Sequence, residues 1–233
     1  MSIFPSRWAP AHPDRLQLYT MNTPNGQKAS IALEELGLPY EAHRIDILAG
    51  DQHDPEYARI SPNEKIPALL DPNGPNGEPV TLMESAAILL YLAEKADGAL
   101  IPAGPTGRWQ VLQWLLFQVG HVGPMFGQFG HFYKFAKGRT DSYGEERYGK
   151  EVTRLLGVLD RQLEGKDWLL GDFSLADIQI VPWIDGLAFY EGQEYVGYHD
   201  FDNVVAWSER FNARPAVTRG KHVGSAEWAK EKA

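Results

Sequence analysis

Over the first hundred residues, short apolar runs alternate with helix-spaced ones; after that the alternation stops. Leu16, Gln17, Leu18 and Tyr19 read as a strand. From Pro24 to Leu36, the residues Ala29, Ala32, Leu33 and Leu36 share one face at helical spacing, and Gly37 is placed to end that helix. YEAHRID (residues 40–46) alternates as a second strand does. KIPALLD (65–71) and PVTLM (79–83) flank PNGPNGE, dense turn chemistry that predicts a hairpin. SAAILLYLAEK, from Ser85, is an apolar helix suited to burial against a sheet. The order β-α-β, then β-β-α, makes residues 16–96 an α/β domain.

Strand signals then fade. Residues 1–15 form a Pro-rich irregular arm, and DGALIPAGPTG (97–107) reads as a linker. Residues 108–233 are predicted to be an all-helical bundle. Trp109, Leu112, Leu116 and Val119 follow helical spacing until Gly120, Gly123 and Pro124 weaken or break the helix. Val152, Leu155, Leu156, Leu159 and Leu163 form the stripe of an amphipathic helix. Further helices begin near Ser174 and Asn203. In FSLADI, Ser174 and Asp177 have the spacing of a capping box, with Phe173 and Ile178 at the staple positions. The tail SAEWAKEKA either frays or docks through Trp228.

Composition narrows the function classes. A net charge of −9 over 233 residues argues against a general nucleic-acid binder. No apolar run reaches the roughly 18 residues of a membrane span, and the first residues lack signal-peptide character, so a cytoplasmic setting is expected. The chain has no cysteine, which excludes disulfides, thiolate metal sites and a CxxC redox pair. Its seven histidines show no metal-ligand spacing, so no metal is expected. Any thiol chemistry must use sulfur brought by a substrate.

Three features stand in order: the strand-to-helix turn NTPNG (22–26), the Ile-Pro pair of SPNEKIPAL (61–69), and an acid and hydroxyl opening the helix of MESAAILLYL (83–92). With FSLADI in a helical second half, the chain resembles the soluble glutathione transferase superfamily over residues 16 to about 220. Each motif alone is weak; their order and spacing together are specific. TPNG, SPNEKIPAL, ERY and WLLGDFSLADI are most similar to the bacterial Nu class, whose members are glutathione-dependent disulfide-bond reductases. The resemblance implies a thioredoxin-like first domain, glutathione as cosubstrate and a homodimer.

It also implies a ligand-binding set. Glu84 would pair with the γ-glutamyl ammonium, and Ser85 at a helix start would meet the γ-glutamyl carboxylate. Ile66, before a cis proline, would present its backbone to the cysteinyl residue. Lys65 and Gln52 would meet the glycyl carboxylate, and Arg147 would contact a glutathione carboxylate from the helical domain. Thr23 and Asn25 would stabilise the sulfur as thiolate. Each residue also has a plainer use. Thr23 before Pro24 suits a helix cap, Glu84 and Ser85 suit capping, and Lys65, Gln52 and Arg147 suit a solvated surface. Tyr19 lies within the strand and packs, so it is not chosen to activate the thiol. Without a strong general base, disulfide exchange is favoured over conjugation of electrophiles. Conjugation or ether cleavage of a hydrophobic substrate, and a non-enzymatic glutathione-binding module, are the competing readings. Trp114, Phe117, Phe126, Phe129, Phe132 and Tyr133 either line a second site or belong to the core.

Overall fold

A computed structural model of the chain describes residues 2–139 and 141–232. It divides into two compact units. The first runs to Ala99 and resumes at Pro215; the second is Leu100–Arg214.

The first unit is built on a four-stranded mixed sheet of β1 (Leu16–Thr20), β2 (Tyr40–Arg44), β3 (Ala68–Asp71) and β4 (Val80–Met83). The spatial order is β2-β1-β3-β4, with β1 parallel to β2 and antiparallel to β3, and β3 antiparallel to β4. All five residues of β1 are buried, as a strand covered on both faces requires. The helices are α1 (Pro24–Leu36), the short α2 (Pro55–Ala58) and α3 (Ser85–Lys95). Thus the expected β-α-β and β-β-α order holds. At the end of the sheet, Asp71 receives a hydrogen bond from the Tyr91 hydroxyl and pairs with Lys95 Nζ at 2.8 Å, which ties α3 to β3. One face of the sheet carries a core of Tyr19, Ile45, Tyr57, Ile60, Ala68 and Leu70. Phe4 and Trp8 of the N-terminal arm pack on it, and the indole of Trp8 donates to Arg44 O.

The second unit holds α4 (Gly107–Phe117), α5 (Gly123–Gly130), α6 (Tyr143–Leu163), α7 (Leu175–Tyr190) and α8 (Asp202–Asn212). At Gly120–Pro124 the regular α-helix is weakened, as expected, but not broken. A π-helical turn over Gln118–Val122 carries the backbone from α4 into α5, and a second follows at His131–Phe135. Pro124 falls in the first turn of α5, where the π turn has already interrupted the regular i→i−4 ladder that a proline would break. Val152, Leu155, Leu156, Leu159 and Leu163 form the buried stripe of α6, as their spacing predicts.

The capping box at α7 forms, with more attached to it than the sequence suggests. Ser174 accepts from Ala176 N–H, while the Asp177 carboxylate receives Ser174 N–H at 2.9 Å. It also receives the Ser174 hydroxyl, the backbone N–H of Leu169 and the indole N–H of Trp207 on α8.

Residues beyond Pro215 depart from the expected helical domain of 108–233. The helices α9 (Pro215–His222) and α10 (Ala226–Lys232) cluster with the first unit. The reason is a close approach: a Cβ on Gly220 would lie 2.6 Å from the Ile31 backbone, so only glycine lets α9 sit on α1. Ser30 then donates to Gly220 O at 2.7 Å. The tail docks rather than frays, with Trp228 half-buried beside Tyr40 and Val223. No helix among the described residues is long and apolar enough to cross a membrane.

Asp177→Ala is expected to cost about 3 kcal/mol or more in urea unfolding, because it strands buried donors that each carry roughly 1–3 kcal/mol. A lost cap alone costs about 0.5–2 kcal/mol. A measured loss under about 1 kcal/mol would mean that the carboxylate acts only as a local cap.

Candidate functional site

Three segments of the first unit converge: the turn into α1, the lead into β3, and the start of α3. The turn comes first. Thr23 is the N-cap of α1, and its Oγ1 accepts from Gly26 N at 3.2 Å, with Pro24 in the first helical turn. Gly26 is required here, since a Cβ on it would lie 2.0 Å from Met21 O.

The second segment is held from behind. The Tyr57 hydroxyl donates to Lys65 O at 2.6 Å, and Ser61 Oγ donates to the same carbonyl at 2.8 Å. These bonds fix the backbone entering the Ile66-Pro67 peptide bond, which is cis as expected.

At the third segment Glu84 precedes α3 with φ 68 and ψ 113, a conformation that an L-residue adopts only when its surroundings impose it. Glu84 is exposed, whereas Ser85 is 8% exposed.

A cleft of about 210 Å³ lies among these segments. Asn25, Lys65, Ile66, Glu84 and Ser85 line it, with Ser61, Asn63, Pro67 and Met83. Five of the eight residues singled out in the sequence therefore meet at one place. Thr23 caps the helix beside the cleft without lining it. Gln52 sits in the turn Asp51–His53, outside the lining. Its amide nitrogen lies 3.1 Å from His53 Nε2, and His53 Nδ1 faces the Glu64 carboxylate. Arg147 belongs to the second unit and lines that unit's own cavity with Met125, Tyr143, Tyr148 and Glu151. Of the aromatic residues considered for a second site, Trp114, Phe126 and Phe129 are buried, whereas Phe117, Phe132 and Tyr133 are half-buried.

Lys28 was not singled out, and it is the most unusual residue here. Its side chain has no exposed surface. Its Nζ donates to Asn25 Oδ1 at 2.8 Å and to Ser85 Oγ at 3.4 Å. Burial pushes the amine well below the ordinary lysine range, partly opposed by the charge of Glu84. Because the oxygen of the Asn25 amide faces Lys28, its NH₂ is the end directed elsewhere. The signal in the sequence was its position: Lys28 stands four residues before Ala32 and so borders the apolar face of α1. Tyr19 is fully buried and burial pushes its phenol up, which suits packing and not thiol activation.

The chemistry offered is that of a zwitterionic, peptide-like ligand. A carboxylate acceptor, Glu84, stands next to a hydroxyl at a helix N-terminus, Ser85. A backbone segment at Ile66 and an exposed ammonium at Lys65 extend the site.

Comparison with known proteins adds the following. Residues 23–95 match the glutathione S-transferase N-terminal domain family, and residues 145–215 match the glutathione S-transferase C-terminal domain family. The disulfide-bond oxidoreductase YfcG of Escherichia coli (strain K12) is 42% identical over 204 residues, which is 87% of this chain and 92% of the relative. A glutathione transferase family member from Pseudomonas fluorescens pf-5, solved with two glutathione molecules bound, superimposes with TM-score 0.91 at 49% identity, covering 93% of this chain and 96% of its own. A glutathione transferase from Pseudomonas putida, solved with one glutathione disulfide per subunit, gives TM-score 0.90 at 50% identity, covering 92% and 94%.

Glu84→Gly is expected to raise stability by about 1 kcal/mol in urea unfolding. Relief of a strained φ/ψ contributes on the order of 1–3 kcal/mol, and the extra freedom of glycine in the unfolded chain returns roughly 0.5–1. A destabilised variant would show that the Glu84 side chain holds the α3 start in place.

Proposed function

The chain belongs to the glutathione S-transferase family, and on that premise we propose that it is a glutathione-dependent disulfide-bond reductase that binds two glutathione molecules or one glutathione disulfide. The observation that carries this is the convergence of Asn25, Lys65, Ile66, Glu84 and Ser85 on one cleft in a chain with no cysteine. The nucleophile and the electron supply must both come from the ligand. The relatives solved with two glutathiones or with glutathione disulfide support the same stoichiometry here.

In this reading Glu84 holds the γ-glutamyl ammonium and Ser85, with the first N–H groups of α3, holds its carboxylate. The Ile66 backbone pairs with the cysteinyl residue, and Lys65 and Gln52 meet the glycyl carboxylate. Arg147 is proposed to meet a glutathione carboxylate as well. The sulfur lies by the turn into α1. There the Asn25 amide and the Thr23 hydroxyl, which accepts from Gly26 and can still donate its own proton, favour the thiolate. That thiolate attacks one sulfur of the substrate disulfide. The S–S bond breaks, and the departing thiolate takes a proton from water. A second glutathione thiolate attacks the glutathione sulfur of the mixed disulfide and releases the second substrate thiol. Two thiols are oxidised to glutathione disulfide as one disulfide is reduced to two thiols. A homodimer, a small disulfide as substrate and a cytoplasmic setting complete the proposal.

Product counting tests the reaction. With a small symmetric disulfide and excess glutathione, one glutathione disulfide should form per disulfide consumed. Accumulation of a stable glutathione–substrate conjugate instead would overturn it.

Two substitutions test the residues. Ser85→Ala should weaken glutathione binding by roughly 1–3 kcal/mol in calorimetry; an unchanged affinity removes Ser85 from the site. Thr23→Ala should lower the disulfide-exchange rate by about 10-fold or more while glutathione affinity changes little. If Thr23 serves only as a cap, stability falls by about 0.5–2 kcal/mol and the rate per folded molecule is unchanged.

A further inference from the structure

We propose that Lys28 is a positioning residue of this reaction: its amine orients the Asn25 amide toward the substrate sulfur, and it takes up a proton when the anionic tripeptide fills the cleft. The proposal rests on the glutathione reading above and adds to it a residue and a proton.

The geometry comes first. Lys28 Nζ reaches two residues that line the cleft from different helices, Asn25 on α1 and Ser85 on α3. Its bond to Asn25 Oδ1 decides which end of that amide is presented as donor. An asparagine whose oxygen faced the sulfur would repel a thiolate; the lysine prevents that flip. The same nitrogen stands 3.4 Å from the hydroxyl assigned to the γ-glutamyl carboxylate, so a bound carboxylate there brings negative charge within a few ångströms of it.

Both hydrogen-bond acceptors of Lys28 are neutral. A fully buried ammonium without a carboxylate partner is disfavoured by desolvation. Among the charged groups around it, Glu84, at the start of α3, acts on Lys28 and is itself exposed. On α9, which packs on α1, Arg219 is engaged with Glu34 and His222 with Glu231. The empty cleft therefore lowers the basicity of Lys28. A ligand that brings two carboxylates against one ammonium adds net negative charge, with one carboxylate beside Ser85, and raises the basicity of Lys28 again. The sign follows by linkage. The amine titrates at lower pH in the empty site than in the filled one, and between those two values binding takes up a proton. Affinity accordingly falls as pH rises through that window and is level on either side of it.

The test uses S-methylglutathione, which has no thiol to titrate, in calorimetry at one pH in buffers of different ionisation enthalpy. Wild type should take up a sizeable fraction of a proton, at most about one per site. Lys28→Met and Lys28→Gln should bind the same ligand without that uptake; proton changes of the ligand itself are common to all three proteins and cancel. Disulfide-reductase turnover should fall by about 10-fold or more in Lys28→Met. It should recover in part in Lys28→Gln, which retains an N–H donor for Asn25. A merely structural lysine predicts equal proton counts in wild type and variants and an unchanged rate per folded molecule; either result overturns the proposal. Should Lys28→Met fail to fold, the wild-type count compared with Lys28→Gln still decides. Failure of wild type to bind S-methylglutathione at all would sink the glutathione reading, and this proposal with it. Binding without proton uptake would sink the proposal alone.

Discussion

A lysine amine with no access to water, held between the first turn of α1 and the first residue of α3, is the interaction on which the candidate site depends. Both helix starts are polar by necessity, because their first N–H groups have no partner within the helix. Thr23 satisfies one of them at α1. At α3 the preceding Glu84 makes no side-chain cap bond and sits at positive φ, so this helix start is left to its surroundings. Lys28 links the two ends through Asn25 and Ser85, and the cleft lies where they meet.

Everything behind the cleft serves to hold these segments still. The sheet buries β1 completely, and the core of Tyr19, Tyr57 and Ile60 supports the loop that carries Lys65 and Ile66. Tyr57 does both jobs at once, packing its ring in the core and donating its hydroxyl to Lys65 O. From the other side α9 covers α1 through Gly220, and it is this covering that shares in removing the middle of α1 from water. Backbone geometry near the cleft is thus set by packing, and the side chains that line it are left for binding.

Much of this was legible in the sequence because it is local. Short apolar runs gave β1, β3 and β4, alternation gave β2, helical spacing gave α1 and α6, a long apolar stretch gave α3, and PNGPNGE gave the hairpin. The capping box of Ser174 and Asp177 formed as its spacing requires. What the sequence concealed was set by distant contacts. Lys28 borders the apolar face of α1 in the sequence, but its partner Ser85 stands fifty-seven residues away, at the start of α3. Residues 215–232 read as more of the helical domain, and long-range contacts, among them the fit of Gly220 against Ile31 and the Arg219–Glu34 pair, send them to the first unit. Gly120, Gly123 and Pro124 looked like helix breakers, since propensity does not foresee a π turn that absorbs them. Thr23, Gln52 and Arg147 were named through resemblance, and each has a local role or a place outside the cleft lining.

The central claim is that a cleft without a protein thiol serves disulfide exchange between ligand sulfurs. Its most direct test is a comparison of kcat/KM for wild type on a small disulfide and on a standard aromatic electrophile, with the same glutathione concentration and the same preparation. The account predicts a clear preference for the disulfide, by tenfold or more, about 1.4 kcal/mol in transition-state stabilisation. Faster conjugation of the electrophile than reduction of the disulfide would contradict it.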